Sequence, residues 1–206
     1  SGFGSLADLE RAGSRCGHPE GHRVNRLAKQ LKDRGGRVRV DKAGRLVSVR
    51  FVDQPIEKAD LDLLVQCRNL RRLDLEGSRL DDAGLSRLAT ITSLESLAVH
   101  DARITDAGLK SVARLDQLKT LGLAHVGRLK RLKGLYLAKC AVTDAGLAHL
   151  AGLREIESLN LYGTGVTDAG LPHLYGMKRM RDLYLTDLKL SEEAITKLKA
   201  ELPRVT

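Results

Sequence analysis

IESLNLYGTGVTDAGL, residues 156–171, holds two periodicities side by side. In its first half Ile156, Leu159 and Leu161 are apolar, and the residues between them are polar. That is the alternation of a short strand with one face buried. In its second half the apolar spacing becomes helical, with Thr167 where a helix N-cap belongs and Asp168 in the first turn. A hydroxyl there can accept a free backbone N–H, and the helix dipole favours the negative charge. One strand followed by one short helix cannot bury both apolar faces alone, so this stretch predicts neighbours built the same way.

The neighbours are present. Segments starting at Leu70, Leu94, Leu132, Ile156 and Met180 each carry apolar residues at positions 1, 4 and 6, for example Leu70/Leu73/Leu75 and Leu132/Leu135/Leu137. The second half recurs as LDDAGL (80–85), ITDAGL (104–109), VTDAGL (142–147) and LSEEAI (190–195). Asp81, Thr105, Thr143 and Ser191 take the N-cap place, and Asp82, Asp106, Asp144 and Glu192 follow. Starts are 24 residues apart except between Leu94 and Leu132. One further start, Leu118/Leu121/Leu123, falls in that interval, only 14 residues before the next. Eight residues between Leu123 and Leu132 are too few for a helical crossover. A shortened unit at 118–131 is therefore expected, with a bare loop at 124–131 and a gap in the helical layer.

The ends read as caps. Residues 46–69 fit a degenerate first unit through Leu46, Val49 and Phe51. Val38 and Val40 alternate with charges, and DKAG (41–44) is a turn, which predicts a hairpin of 37–41 with 46–51. An amphipathic helix over 23–34 stops at Gly35-Gly36. The expected organisation is a flexible leader (1–20), an N-terminal cap (21–45), and an α/β solenoid (46–206) with a closing segment near 191–206. Strands would stack as a parallel sheet and the short helices as a second layer.

Aromatic residues make up 3% of the chain, so the core is aliphatic. The net charge of +9 is concentrated toward the start: residues 1–69 carry 14 basic and 9 acidic groups, residues 132–206 carry 10 and 9. Three cysteines at wide spacings, Cys16, Cys67 and Cys140, imply no disulfide framework and favour a reducing compartment, the cytoplasm. The opening residues show no apolar signal core, although a signal peptide removed ahead of Ser1 remains open. No run reaches the length of a membrane helix.

The form LxxLxLxxTxVTDAGLxxLxxL resembles the leucine-rich-repeat superfamily. It is similar to bacterial proteins with this repeat, to the repeats of F-box adaptors, and to the ribonuclease-inhibitor-like group. Cys140 stands where such repeats often carry Asn, Cys or Thr. The resemblance covers residues 46–206. It implies a curved right-handed solenoid, a horseshoe with a concave sheet, that binds proteins rather than catalysing a reaction.

The chemistry-bearing clusters have simpler accounts. Cys16, His18 and His22 are capable of binding metal but lack a fourth ligand. Gly163-Thr164-Gly165 lacks the Lys-Ser/Thr ending of a phosphate loop. The Asp82, Asp106, Asp144 and Asp168 column supplies no converging oxygens for calcium. No nucleophile-elbow or zincin motif occurs, and no catalytic residue, metal or cofactor is expected. The run Arg128, Lys130, Arg131, Lys133 and the basic N-terminal half motivate an alternative function, binding of a polyanion or nucleic acid.

The leading expectation is a protein-binding scaffold that takes no small-molecule substrate. With positions 1, 4 and 6 inward, positions 5 and 7 face out on the sheet. Position 5 reads Asp74, Ala98, Gly122, Tyr136, Asn160, Tyr184; position 7 reads Glu76, His100, Ala124, Ala138, Tyr162, Thr186. Three of the chain's four tyrosines fall on this face. The expected centre of the partner site is Tyr136, Asn160, Tyr162 and Tyr184, with His100 beside it and Lys139 and Asp187, at position 8, flanking it.

Overall fold

The computed structural model describes residues 19–100, 102–113 and 132–205. Among them, helix α1 (Pro19–Asp33) leads into a hairpin of β1 (Arg37–Val40) and β2 (Leu46–Val52). Strands and short helices then alternate: α2 (Lys58–Leu64), β3 (Arg72–Glu76), α3 (Asp82–Leu88), β4 (Ser96–Ala98) and α4 (Asp106–Ala113). After residue 131 come β5 (Gly134–Tyr136), α5 (Asp144–Leu150), β6 (Ser158–Asn160), a 3-10 turn (Leu171–Leu174), β7 (Asp182–Tyr184) and α6 (Glu192–Glu201). The strands form one sheet in chain order, antiparallel only between β1 and β2 and parallel from β2 to β7. No helix among the described residues is long and apolar enough to cross a membrane.

The apolar pattern places the core. Leu70, Leu73, Leu75, Leu94, Leu97, Val99, Leu132, Leu135, Leu137, Ile156, Leu159 and Leu161 are all buried, one layer of leucines on the next. From the helical side Leu85, Leu88, Leu109, Leu147 and Leu150 close the same core. Both ends are covered. Leu27, Ala28 and Leu31 of α1 are buried at the start, and Leu198 and Leu202 at the end of the chain. α1 ends in a Schellman turn. Gly35 takes φ +86°, Gly36 N–H donates to Leu31 O (2.8 Å) and Gly35 N–H to Lys32 O (2.9 Å). Arg34 then reaches the nearly buried Asp60 and Glu57 of the capping box of α2, tying the cap to the first repeat.

Three expectations are corrected. First, β4 pairs directly with β5, in the register Ser96↔Gly134, Leu97↔Leu135, Ala98↔Tyr136. Lys133 N–H donates to Glu95 O (2.8 Å), as Glu95 N–H does to Arg71 O one unit earlier (2.7 Å). β4 and β5 are therefore neighbours in the sheet, and the strand expected at 118–123 lies outside the described residues. The helical layer has no gap there, since the backbone N–H of Thr143 at the start of α5 bonds Asp106 of α4 at 2.8 Å. The bare loop expected at 124–131 lies outside the described residues.

Second, the unit starting at Ile156 closes with a 3-10 turn instead of an α-helix. DAGLPHL differs from the α-helical DAGLAHL of α5 in Pro172, which has no N–H for an i→i−4 bond. The backbone uses tighter bonds, His173 N–H to Gly170 O (3.1 Å) and Tyr175 N–H to Pro172 O (3.2 Å).

Third, the capping threonines do more than cap their own helices. Asp81 and Ser191 accept from Gly84 N–H (2.8 Å) and Ala194 N–H (3.1 Å), and Thr105 and Thr167 accept from Ala107 N–H (3.2 Å) and Ala169 N–H (3.3 Å). Thr143 makes no side-chain cap bond. Its hydroxyl and backbone N–H instead donate to Asp106 of the preceding unit, at 2.5 and 2.8 Å. Thr105 does the same to Asp82 and Thr167 to Asp144, and Ser191 N–H donates to Asp168. Each Asp thus stitches its helix to the next repeat. The glycine of the next repeat makes room for it. A Cβ on Gly108, Gly146 or Gly170 would lie 2.3, 2.2 or 2.3 Å from the incoming carboxylate oxygen of Asp82, Asp106 or Asp144.

Candidate binding face

The parallel register sets the concave face. Arg50, Asp74, Ala98, Tyr136, Asn160 and Tyr184 are aligned across β2 to β7; buried residues flank the first five and the half-buried Leu183 and Leu185 flank Tyr184. Tyr136 is half-buried and lies back over Gly134, whose Cβ position is 3.0 Å from the ring carbon Cε2. A larger residue at 134 would lift that ring. His100 meets Tyr136 edge-on, with centroids 6.0 Å apart and planes at 63°. The His100 Nδ1 is buried without a hydrogen-bond partner among the described residues. Asn160 is half-buried, and its Oδ1 accepts from Tyr162 N–H (2.9 Å), which holds the strand end. Tyr162 is half-buried and Tyr184 is 51% exposed.

Lys139 and Asp187 occupy the position just beyond each strand, and both are exposed. Their backbone is left-handed, φ +57° and +61°. Asp53, Gly77 and Gly163 share this repeat position and the same conformation. The column is therefore a turn that the repeat requires, with Gly and Asp tolerating it better than Lys.

The other end of the face is basic; sequence reading placed the excess charge in the N-terminal half but did not name the arginines that share the sheet. β1 pairs Arg37 with Arg50 and Arg39 with Ser48, and β2 pairs Ser48 with Arg72. Arg50 is neutralised by Asp74 (2.9 Å) and Glu76 (3.4 Å). Arg37, Arg39 and Arg72 are exposed and have no acidic partner among the described residues. The signal was the alternation RVRV at 37–40, which puts both arginines on the face away from the core.

The remaining candidates carry less. Cys16 and His18 lie outside the described residues, as do Arg128, Lys130 and Arg131, while Lys133 is paired with Glu157 at 2.9 Å. Among the described residues no His, Cys, Asp and Glu side chains gather as metal ligands. A cleft of about 280 Å³ between α1, the β1–β2 turn and the end of α2 is floored by Val24, Leu27, Leu46 and Cys67. Burial pushes the Cys67 thiol up to about 11, so it stays protonated and poorly nucleophilic near neutral pH.

The repeat geometry agrees with comparison to known proteins. A leucine-rich-repeat family model matches residues 66–89 and 90–113 in tandem. These are two complete periods, each spanning the end of one helix to the end of the next. The chain is a leucine-rich-repeat protein. Its fold is the open α/β solenoid of that superfamily. An internalin of Listeria monocytogenes aligns over 78% of the chain at 22% identity and a TM-score of 0.52. Internalin C2 of the same organism gives the same identity and score. The ectodomain of the Arabidopsis receptor kinase HAESA, solved with an extended IDA peptide hormone, aligns over 82% at 16% identity and a TM-score of 0.51. The chain spans 46%, 69% and 27% of the lengths of these three proteins. No curated protein matches it in sequence. At these identities the likeness is one of fold.

Proposed function

We propose that this leucine-rich-repeat protein is a non-catalytic scaffold that holds a protein partner on its concave sheet face. The observation that carries the reading is the alignment of Tyr136, Asn160 and Tyr184 across adjacent strands, with Tyr162 beside them, on a surface no other described element covers. Tyrosine contributes a large apolar ring and a hydrogen-bonding tip, the combination enriched in binding hot spots. His100 stands against Tyr136, and Lys139 and Asp187 supply charges of opposite sign at the rim. The HAESA ectodomain, solved in complex with a peptide hormone, supports binding as the use to which such a surface is put.

Capture of a partner by the purified chain, compared with a Tyr162→Ala/Tyr184→Ala variant, tests the proposal. Binding is expected to weaken by at least about 2 kcal/mol with the thermal transition unchanged. Unchanged affinity in that variant would remove the tyrosines from the site. The polyanion alternative rests on the unpaired arginines of β1 and β3. It requires binding of nucleic acid that falls steeply with salt.

A further inference from the structure

The position-3 row of the concave face reads Arg39, Ser48, Arg72, Ser96, Gly134 from β1 to β5. Long basic side chains stand on every second strand, with a small residue between, and the row ends where the Tyr136 ring covers Gly134. Neighbouring strands are about 4.8 Å apart, so Arg39 to Arg72 and Arg72 to Gly134 are each about 9.6 Å. A polyproline-II chain presents every third residue on one side and advances about 9.3 Å in doing so. The two repeats match. A segment in that conformation, crossing the strands, would bring residues i, i+3 and i+6 over Arg39, Arg72 and Tyr136. The serines at 48 and 96 leave the room its backbone needs.

Resting on the reading of the concave face as a docking surface, we propose that the partner presents an extended acidic segment of the form acid-x-x-acid-x-x-apolar. Its carboxylates pair with Arg39 and Arg72, supported by Arg37, and its apolar side chain packs on Tyr136. Charge decides the sign of the partner. Among the described residues Arg37, Arg39 and Arg72 have no acidic partner, and the carboxylates of Asp74 and Glu76 are held by Arg50. Guanidinium groups bind carboxylates through two parallel N–H donors, so an arginine pair gives register as well as attraction. A protein segment is favoured over nucleic acid because, among the described residues of the sheet face, no aromatic stacking platform adjoins the arginines; Tyr136 is two strands beyond Arg72.

The test uses the full chain and three fluorescein-labelled probes in anisotropy titrations at physiological salt. These are the peptide Glu-Pro-Pro-Glu-Pro-Pro-Leu, the same peptide with Gln for both Glu, and a short oligothymidylate. The acidic peptide is expected to bind saturably with Kd below about 1 mM. The Gln peptide, or the acidic peptide with an Arg39→Ser/Arg72→Ser variant, is expected to bind about tenfold more weakly. Both arginines are exposed and unpaired, so the variant should keep its circular dichroism and melting temperature. An Arg39→Glu/Arg72→Glu variant should in turn bind the Lys-for-Glu peptide better than the acidic one. No saturable binding of the acidic peptide, equal binding of the Gln peptide, or tighter binding of oligothymidylate overturns the proposal. A captured natural partner that is lost with Tyr162→Ala/Tyr184→Ala but kept with Arg39→Ser/Arg72→Ser overturns it as well, while leaving the concave face as the docking surface.

Discussion

The helix starts and the concave strands of this solenoid repeat with the same period and are built to opposite rules. At the helix starts, one unit after another reads Thr-Asp-Ala-Gly-Leu. Each residue there serves the adjacent unit: the Asp receives the Thr of the next repeat, and the Gly leaves space for the Asp of the previous one. On the concave face the same register stacks Asp74, Ala98, Tyr136, Asn160 and Tyr184, five residues of four kinds. Bonds between units constrain the first set, and little within the chain constrains the second. Sameness down a column marks structure, and variation on an exposed face marks the part of the surface free to recognise something else.

The largest effect on stability is expected where the ladder is cut. Asp106→Ala removes both bonds from Thr143 and should cost about 1.5 kcal/mol, roughly 3–6 °C in Tm. Gly146→Ala should cost about the same, although alanine is ordinarily the better helix former. Its methyl group would displace the Asp106 carboxylate. In an Asp106→Ala background most of that cost should vanish, leaving only the close approach to Leu109 Cδ1 at 3.1 Å. Additive losses in the double variant would break the claim that the two columns act as one device. Gly176→Ala, whose added carbon meets nothing closer than 3.9 Å, is the control and should be neutral or slightly stabilising.

Much of this architecture was legible from periodicity alone. Alternating Leu gave the strands, and the change to helical spacing gave the second layer. The cap hairpin followed from RVRV, DKAG and LVSVRF. The rung after β4 was not legible. LDQLKTLGLA (115–124) and LKRLKGLYLA (129–138) carry the same apolar pattern, and a 24-residue cadence selects the first. Pairing selects the second, which is followed directly by the VTDAGL that completes a unit. The Asp role was misread for a physical reason as well. A carboxylate in the first turn satisfies the helix dipole whether or not a neighbouring threonine reaches it.

A smaller effect tests the boundary between the two rules. Lys139 holds left-handed backbone in a column otherwise occupied by Gly and Asp. Lys139→Gly should stabilise the chain by about 0.5 kcal/mol, seen as a rise of roughly 1–2 °C in Tm. The same change should weaken partner binding if the lysine is retained for recognition. A fall in Tm would show that the side chain, rather than the turn, is what the fold needs.

The least effect concerns pH. The Ser191 hydroxyl, and then its backbone N–H, hold the Asp168 carboxylate below its ordinary value. A lowered folded value means the contribution is complete above the unfolded value and disappears as pH falls through the folded one. The Tm difference between the native chain and Asp168→Asn should therefore be present at neutral pH and narrow below about pH 4. A difference that widens in acid would contradict the assigned bond.

The most direct test of the central claim separates binding from folding on one variant. Affinity for the captured partner and Tm are measured together for Tyr162→Ala/Tyr184→Ala, beside Asp106→Ala as the opposite case. The account gives a loss of at least about 2 kcal/mol in binding with Tm held to within a degree or two for the tyrosine variant. It gives a lowered Tm with binding retained below the transition for Asp106→Ala. Full affinity without the tyrosines, or a collapse of Tm with their removal, would contradict the assignment of the concave face to recognition.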